Sequence, residues 1–308
     1  MATAGNSQAE KRCPMEPIAY MQLTRELYAS HGYAPYGWRQ ADSPPPFVRL
    51  AKPLSECRLG MLGTAGAYVM GQVAYYYKDD TSYRAIPKDT PSERIHFSHI
   101  TENYLPDPRR DANCVFPIDA LRALEAEGVI GSLADNLFSC MGGVYSQRRV
   151  EAELIPALTA AFQAERVDAV LLVPMCPVCH QTVCMIARHL EGLGIPTICM
   201  GSAFDILKAG RPPRASFVDF PLGHSSGKPF DRAGQIGLVR RALAGLESAC
   251  EPESFFIAPD QWDADEQWKA DTRKKEGAGG EDQRKPRDTV PQYQTDEDRK
   301  LAEAALAV

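Results

Sequence analysis

The chain has 308 residues, 44% of them apolar, which is enough for one large core or two small ones. Its formal net charge of −6 sits in the tail: residues 251–308 carry 15 acidic and 9 basic side chains, and the 25 acids and 25 bases of the remainder cancel. A neutral body without a basic stripe gives no footprint for nucleic acid, and no apolar run approaches the roughly 18 residues of a membrane span. The opening stretch MATAGNSQAEKRCPM lacks the apolar centre of a signal peptide, so a cytoplasmic location is expected. Nine cysteines in such a chain are expected to be reduced, and an odd number cannot all pair.

Residues 1–50 read as a polar N-terminal arm with one amphipathic segment (Tyr20, Leu23, Leu27, Tyr28), closed by Ser43-Pro44-Pro45-Pro46. From Leu59 a strand runs into the small-residue loop Gly63-Thr64-Ala65-Gly66, and Ile95-His96-Phe97 reads as a short strand. Pro117 to Gly128 has a helix's start, apolar face (Ile118, Leu121, Leu124) and stop. Val150–Glu165 is a second helix, with Leu154, Leu158 and Phe162 spaced by four. The strand Ala169–Val173 follows, then a helix from about Pro177 to Leu193, ended by Gly194. Strands at Ile195–Cys199 and Ala215–Phe220 and a long helix at Ala233–Ser248 complete the body. This alternation predicts an α/β fold over 51–250: a doubly wound, mainly parallel sheet with helices on both faces. The segment 251–308, dominated by charge, Gly, Gln and Pro from Asp265 to Asp298, predicts a largely disordered acidic tail with a short helix over Leu301–Val308.

The most informative stretch is Cys176-Pro177-Val178-Cys179-His180, directly after the apolar strand. A strand emptying into a helix places the first helical turn at the carboxyl edge of the sheet, where ligands of open α/β folds collect. Free N–H groups and the positive dipole end there favour thiolate over thiol. The C-x-x-C spacing lets two sulfurs meet, so one can attack and the other resolve the product as a disulfide. Cys176, nearest the helix entrance, is the expected nucleophile, and His180 a proton shuttle or imidazolium partner. Two other uses remain open: a metal held by Cys176, Cys179 and His180, for which Cys184 or Cys140 could complete a set, and a pair of inert buried cysteines. The literal c-type haem pattern C-x-x-C-H calls for export and an exposed segment, which this one lacks.

The Gly63, Thr64, Ala65 loop is a candidate anion cradle for substrate, or a tight turn without a ligand. His99, at another strand end, and His224, in Asp219-Phe220-Pro221-Leu222-Gly223-His224-Ser225, are candidate substrate contacts, as are Met141 and Gly142 in the small-residue turn Ser139-Cys140-Met141-Gly142-Gly143.

Together, Pro174-Met175-Cys176-Pro177-Val178-Cys179-His180-Gln181-Thr182, Gly194-Ile195-Pro196-Thr197 and Val218-Asp219-Phe220-Pro221-Leu222-Gly223-His224 resemble the selenoprotein B family of the glycine, sarcosine, betaine and D-proline reductases, in particular its short relatives. Phe97-Ser98-His99-Ile100, Cys114-Val115-Phe116-Pro117 and Met141-Gly142 support the likeness, which covers roughly Arg58 to Glu247. In that family the first position of the motif is often selenocysteine. The resemblance implies a selenolate or thiolate that reductively cleaves a carbon–heteroatom bond, a second cysteine that closes the bridge, and a dithiol donor that reopens it. Cys176 stands at the selenocysteine position and Cys179 at the resolving one. A thiol is the weaker acid and poorer leaving group, so the helix end and neighbouring histidine matter more here. The amino acid reductases also use a pyruvoyl group on a separate subunit; nothing in this chain replaces it, so a partner supplies it or the substrate does without.

The expected function is therefore a thiol-dependent oxidoreductase acting on a small amino- or carboxylate-bearing substrate, with no resident cofactor beyond the redox dithiol. A homo-oligomer is compatible with the sequence. Two rivals belong to other classes: a cofactor-independent two-cysteine racemase using Cys176 with Cys140, and a non-catalytic Cys/His metal-binding protein.

Overall fold

The computed structural model describes residues 16–307. In chain order the elements are α1 (Tyr20–Ser30), β1 (Arg58–Gly63), β2 (Ala67–Val69), β3 (Tyr83–Pro87), β4 (Ile95–Phe97), α2 (Ile118–Ala126), β5 (Ser132–Leu133), β6 (Asn136–Cys140) and α3 (Gln147–Arg149). A π-helical turn (Val150–Leu154) leads into α4 (Ile155–Ala164), followed by β7 (Ala169–Val173), α5 (Pro177–Gly192), β8 (Thr197–Gly201), α6 (Phe204–Gly210) and β9 (Arg214–Phe217). Then come α7 (Arg232–Ser248), β10 (Ser254–Ile257), α8 (Gln267–Glu276) and α9 (Asp296–Leu306).

The main sheet runs β10-β9-β8-β7-β1-β6-β3, with β5 also pairing β1. All its ladders are parallel except β3 against β6, where Tyr83 faces Cys140. β7 (AVLLV) is buried along its whole length, as a strand covered on both faces must be. Alternate residues feed two cores. Leu59, Met61, Leu171 and Val173 pack under α2 and α7, while Leu62, Val170, Leu172 and Cys199 pack under α4 and α5. Helices therefore cover both faces, and the doubly wound reading holds. Chain order reverses between β1 and β7: β8 to β10 extend one way and β6 and β3 the other. Ligands of open α/β sheets bind in the crevice at such a switch point. The loop after β1 and the Cys176 turn after β7 both open there.

The strands at 95–97 and 169–173 and the helices at 118–126 and 232–248 fall where the periodicity puts them. β2, β3, β6 and α8 escaped it; Cys140, read as part of a turn, is the last residue of β6. The first fifteen residues, on which the location rested, lie outside the described ones. Among the described residues no helix is long and apolar enough to cross a membrane. The eight described cysteines are all free.

The disordered-tail expectation needs correction. β10 extends the sheet beside β9, so the sheet continues past residue 250. Trp268 of α8 packs with Tyr20 and Leu23 of α1 and Ile206 of α6. Further on, Lys285 N–H donates to Ile100 O and Gln292 N–H to Tyr75 O, and buried Asp298 accepts from Tyr68 Oη at 2.7 Å and meets His96 Nδ1 at 2.7 Å. The composition rule asks whether a segment can bury its own core. This one borrows a core, and its charges find partners on the body.

Candidate active site

Cys176 is the N-cap of α5, with extended backbone (φ −92°, ψ 173°), and Pro177 occupies the first turn, where its missing N–H costs nothing. Cys176 Sγ accepts the N–H of Cys179 at 3.3 Å, in the place a serine or aspartate oxygen usually takes. The two sulfurs lie 3.0 Å apart. On its far side Cys179 Sγ is 3.1 Å from Thr64 O and 3.3 Å from His99 Nε2. His99 Nδ1 accepts the N–H of Thr101 at 3.1 Å and sits 2.8 Å from Thr101 Oγ1. A backbone N–H can only donate, so that hydrogen bond assigns the neutral imidazole's proton to Nε2, pointing at Cys179. Gly142 closes the back wall at φ +39°: a Cβ there would lie 2.5 Å from Thr64 Cβ and 2.9 Å from Cys179 Sγ.

Both sulfurs are buried, Cys176 at 1% exposure and Cys179 at 0%. Burial pushes both thiols up. For Cys179 this is more than offset by the hydrogen bond from Cys176 and by the hydrogen bond from His99 Nε2–H, leaving it well below the ordinary thiol value. For Cys176 burial is joined by the hydrogen bond and charge of Cys179, which hold it well above. The pair thus loses one proton readily and keeps the other. The remaining proton has a home on either sulfur. On Cys176 it leaves the charge beside His99; on Cys179 it can reach Thr64 O and leaves the charge on Cys176 at the helix end.

Cys176 lines a chamber of about 70 Å³ that Cys179 does not reach. The chamber walls come from three parts of the chain: Tyr28, Tyr36 and Trp38 from the arm, Tyr104 and Tyr145 from the body, and Glu276 and Arg284 from the tail. Arg284 ties the roof together, bonding Tyr28 Oη at 2.8 Å and both carboxylate oxygens of Asp282. These roof residues carried no motif; the aromatic spacing of the arm was their only trace in the sequence.

Of the residues singled out from sequence, Cys176, Cys179, Thr64, His99 and Gly142 come together. Gly63 ends β1 under the ring of Phe116. The loop after it is not an open anion cradle: the N–H groups of Thr64, Gly66 and Ala67 already bond Val173 O, Cys140 O and Ser139 Oγ, and Ala65 is 1% exposed. Thr64 instead offers its carbonyl to the sulfur. Met141 is fully buried core. His224 packs at a tilt against Trp262 and bonds Asp107 Oδ2 at 3.0 Å, away from the chamber lining.

His180 turns away from the sulfurs. Its Nδ1 lies 2.8 Å from Cys176 O, and its Nε2 accepts the N–H groups of Ser202 and Ala203 at 2.9 and 3.2 Å. Burial lowers its pKa to about 4, so it is neutral and clamps the α5 cap to the turn after β8. The alternative metal set shifts accordingly. Among the described residues the ligand atoms of His99, Cys176 and Cys179 all lie within 4.8 Å of one another, with His99 in place of His180. In the tautomer shown Nε2 carries the proton; ligation at Nε2 would require that proton to move to Nδ1, where Thr101 Oγ1 at 2.8 Å is the acceptor at hand. Cys140 is fully buried, its thiol pushed up first by burial, and it lies outside the chamber lining, so the two-cysteine racemase pair is not assembled around that space.

A buried dithiol at the switch point of a doubly wound sheet, one sulfur facing a small chamber and the other backed by a histidine, defines a thiol site suited to two-electron chemistry. Residues 94–175 match the model of the glycine/sarcosine/betaine reductase selenoprotein B family, ending one residue before Cys176. The D-proline reductase subunit gamma of Acetoanaerobium sticklandii is 31% identical over 203 residues, which cover 66% of this chain and 84% of that one. The glycine reductase complex component B subunit gamma of Carboxydothermus hydrogenoformans is 32% identical over 152 residues, 48% of this chain and 34% of its own length. The sarcosine reductase complex component B subunit beta of Peptoclostridium acidaminophilum is 27% identical over 151 residues, again 34% of that protein. No solved structure matches the chain. The chain belongs to the selenoprotein B family, whose matched members are named as subunits of amino acid reductases. It spans about a third of the Carboxydothermus hydrogenoformans glycine reductase subunit and of the sarcosine reductase subunit.

Proposed function

We propose that this chain is the thiol-bearing component of a reductase that cleaves a carbon–heteroatom bond in a small amino- or carboxylate-bearing substrate. Cys176 attacks and Cys179 resolves, leaving a Cys176–Cys179 disulfide that a dithiol donor reduces. The observation that carries this reading is the sulfur pair itself: 3.0 Å apart, with Cys176 alone on the chamber wall. The proton on Cys176 passes to Cys179, where Thr64 O and the charged partner sulfur receive it, and the freed thiolate faces the chamber. His99, not His180, supports the charge.

The relatives' names, which are those of subunits, extend the proposal to a multi-subunit reductase; a pyruvoyl group on a partner, as the family resemblance implies, would activate an amine. Among the described residues no lysine lines the chamber to form an imine in its place. About 70 Å³ admits only a few non-hydrogen atoms, so the reacting end of a substrate enters once the roof moves. The test is to incubate the reduced protein, with and without candidate partner subunits, with D-proline, glycine, sarcosine or betaine, and to map thiols by mass spectrometry. The expected product is a Cys176 adduct or a Cys176–Cys179 disulfide. Unmodified thiols with every substrate, or full activity of Cys176→Ser, defeats the proposal.

A further inference from the structure

We propose that Glu276, the last residue of α8, is the proton donor of the Cys176 chamber, protonating the leaving heteroatom as Cys176 attacks; this rests on the reductase reading above. Glu276 shares the chamber lining with Cys176, and Tyr104 Oη donates to Glu276 Oε2 at 2.8 Å. Asn103, Tyr104, Glu276, Glu281 and Gln283 also line a larger outer cleft of about 700 Å³ with His224 and Lys275, so Glu276 stands where the chamber meets that cleft.

The need for such a group follows from proton counting. Cleaving a carbon–heteroatom bond with two electrons consumes two protons, and a dithiol that already carries one negative charge holds one. The other must be stored beside Cys176. Burial of the Glu276 carboxyl raises it to about 7, against smaller lowering by the Tyr104 hydroxyl and Lys275. The groups that face it are Tyr104 from the body, Tyr20 of α1, Lys275 on its own helix, and Glu281, Asp282 and Arg284 beyond it. Both tyrosines stay protonated, burial being the first cause in each.

The steps balance. A proton moves from Cys176 to Cys179; Cys176 then forms a sulfur–carbon bond, and the carbon–heteroatom bond breaks with its electron pair on the heteroatom. Glu276 gives that atom its proton. Cys179 next attacks Cys176 Sγ: the disulfide forms, the sulfur–carbon bond breaks, and the carbon keeps the pair and takes the Cys179 proton. The dithiol pair is oxidised and the substrate reduced, and Glu276 ends as carboxylate. A dithiol donor then returns two electrons and two protons, one to the thiol pair and one to Glu276.

The test has two arms on the full chain. In the first, infrared difference spectra follow the protonated-carboxyl band against pH in protein reduced with dithiothreitol or oxidised with diamide. The expected band titrates near pH 7 when reduced, shifts to lower pH when the thiolate charge is removed, moves up in Tyr104→Phe and vanishes in Glu276→Gln. A band that ignores the redox state, or survives Glu276→Gln, overturns the assignment. In the second, turnover of whichever of the four amino acids the wild type reduces is expected to fall about 100-fold in Glu276→Gln and to lose its alkaline decline, while alkylation of Cys176 by iodoacetamide is unchanged. Equal turnover overturns it. If the wild type reduces none of the four, the functional reading fails by itself, and the infrared arm still decides whether Glu276 answers to the dithiol.

Discussion

The floor of the chamber stands on β7 and α5, where five consecutive buried residues, an N-cap and Pro177 fix the backbone within a dozen positions. The roof is assembled from residues 24–38 and 276–284, which meet only in three dimensions. The floor's geometry is local and stiff: Cys176 cannot leave its cap without losing the Cys179 N–H, and Gly142 leaves no slack behind Cys179. The roof is held by polar contacts at the rim, such as Arg284 to Tyr28 and Tyr104 to Glu276, over the small apolar cluster of Tyr20, Leu23, Ile206 and Trp268. Elements that must open to admit a ligand are drawn from such weakly buried parts. The difference suggests that chemistry is set by the floor and access by the roof.

That division can be broken at either layer. The largest expected effect is on the floor: Cys176→Ser should lower turnover by about 10³-fold or more and abolish the disulfide on peptide mapping, because the atom proposed to attack is gone. Next is His180. Its folded pKa of about 4 is depressed from 6.5, so its contribution is complete above pH 6.5 and is lost as pH falls toward 4, when the unfolded chain binds a proton and the folded one does not. Denaturant titrations at pH 7 and 4 should show wild type losing about 3 kcal/mol more than His180→Gln over that interval. Gly142→Ala should cost about 2 kcal/mol in the same assay and slow alkylation of the pair, since the new Cβ meets Thr64 and Cys179 Sγ. The smallest effect belongs to the roof: Arg284→Ala should speed iodoacetamide alkylation of Cys176 about tenfold, equivalent to roughly 1.4 kcal/mol of easier opening, without moving the melting temperature by more than a few degrees. Equal alkylation rates in Arg284→Ala and wild type would mean that the roof does not gate the thiol.

Local signals were legible where the chain itself paid the cost of structure. The AVLLV run, the Pro177 helix start and the Gly128 and Gly194 stops gave the parallel strand and its helices, because burial on both faces and missing N–H groups leave marks in sequence. His180 misled because nearness in sequence does not fix where a ring points: four residues after Cys176 on a helix, it reaches the carbonyl of Cys176 rather than the sulfur. His99 was named only as a substrate contact, since nothing in Phe97-Ser98-His99 announces that a loop 80 residues before Cys179 will end 3.3 Å from it. Glu276 was hidden inside a charged segment whose composition argued against any structure at all.

The sequence alone determined the sulfur pair, the strand and helix that present it, and the doubly wound sheet. These follow from backbone hydrogen bonding and burial over short spans, which residue type and period encode. Only the tertiary structure decided which histidine meets the thiolate, which sulfur faces the chamber and that the arm and tail close over it. Those outcomes depend on contacts between residues far apart in the chain, and no local pattern fixes where such residues come to rest.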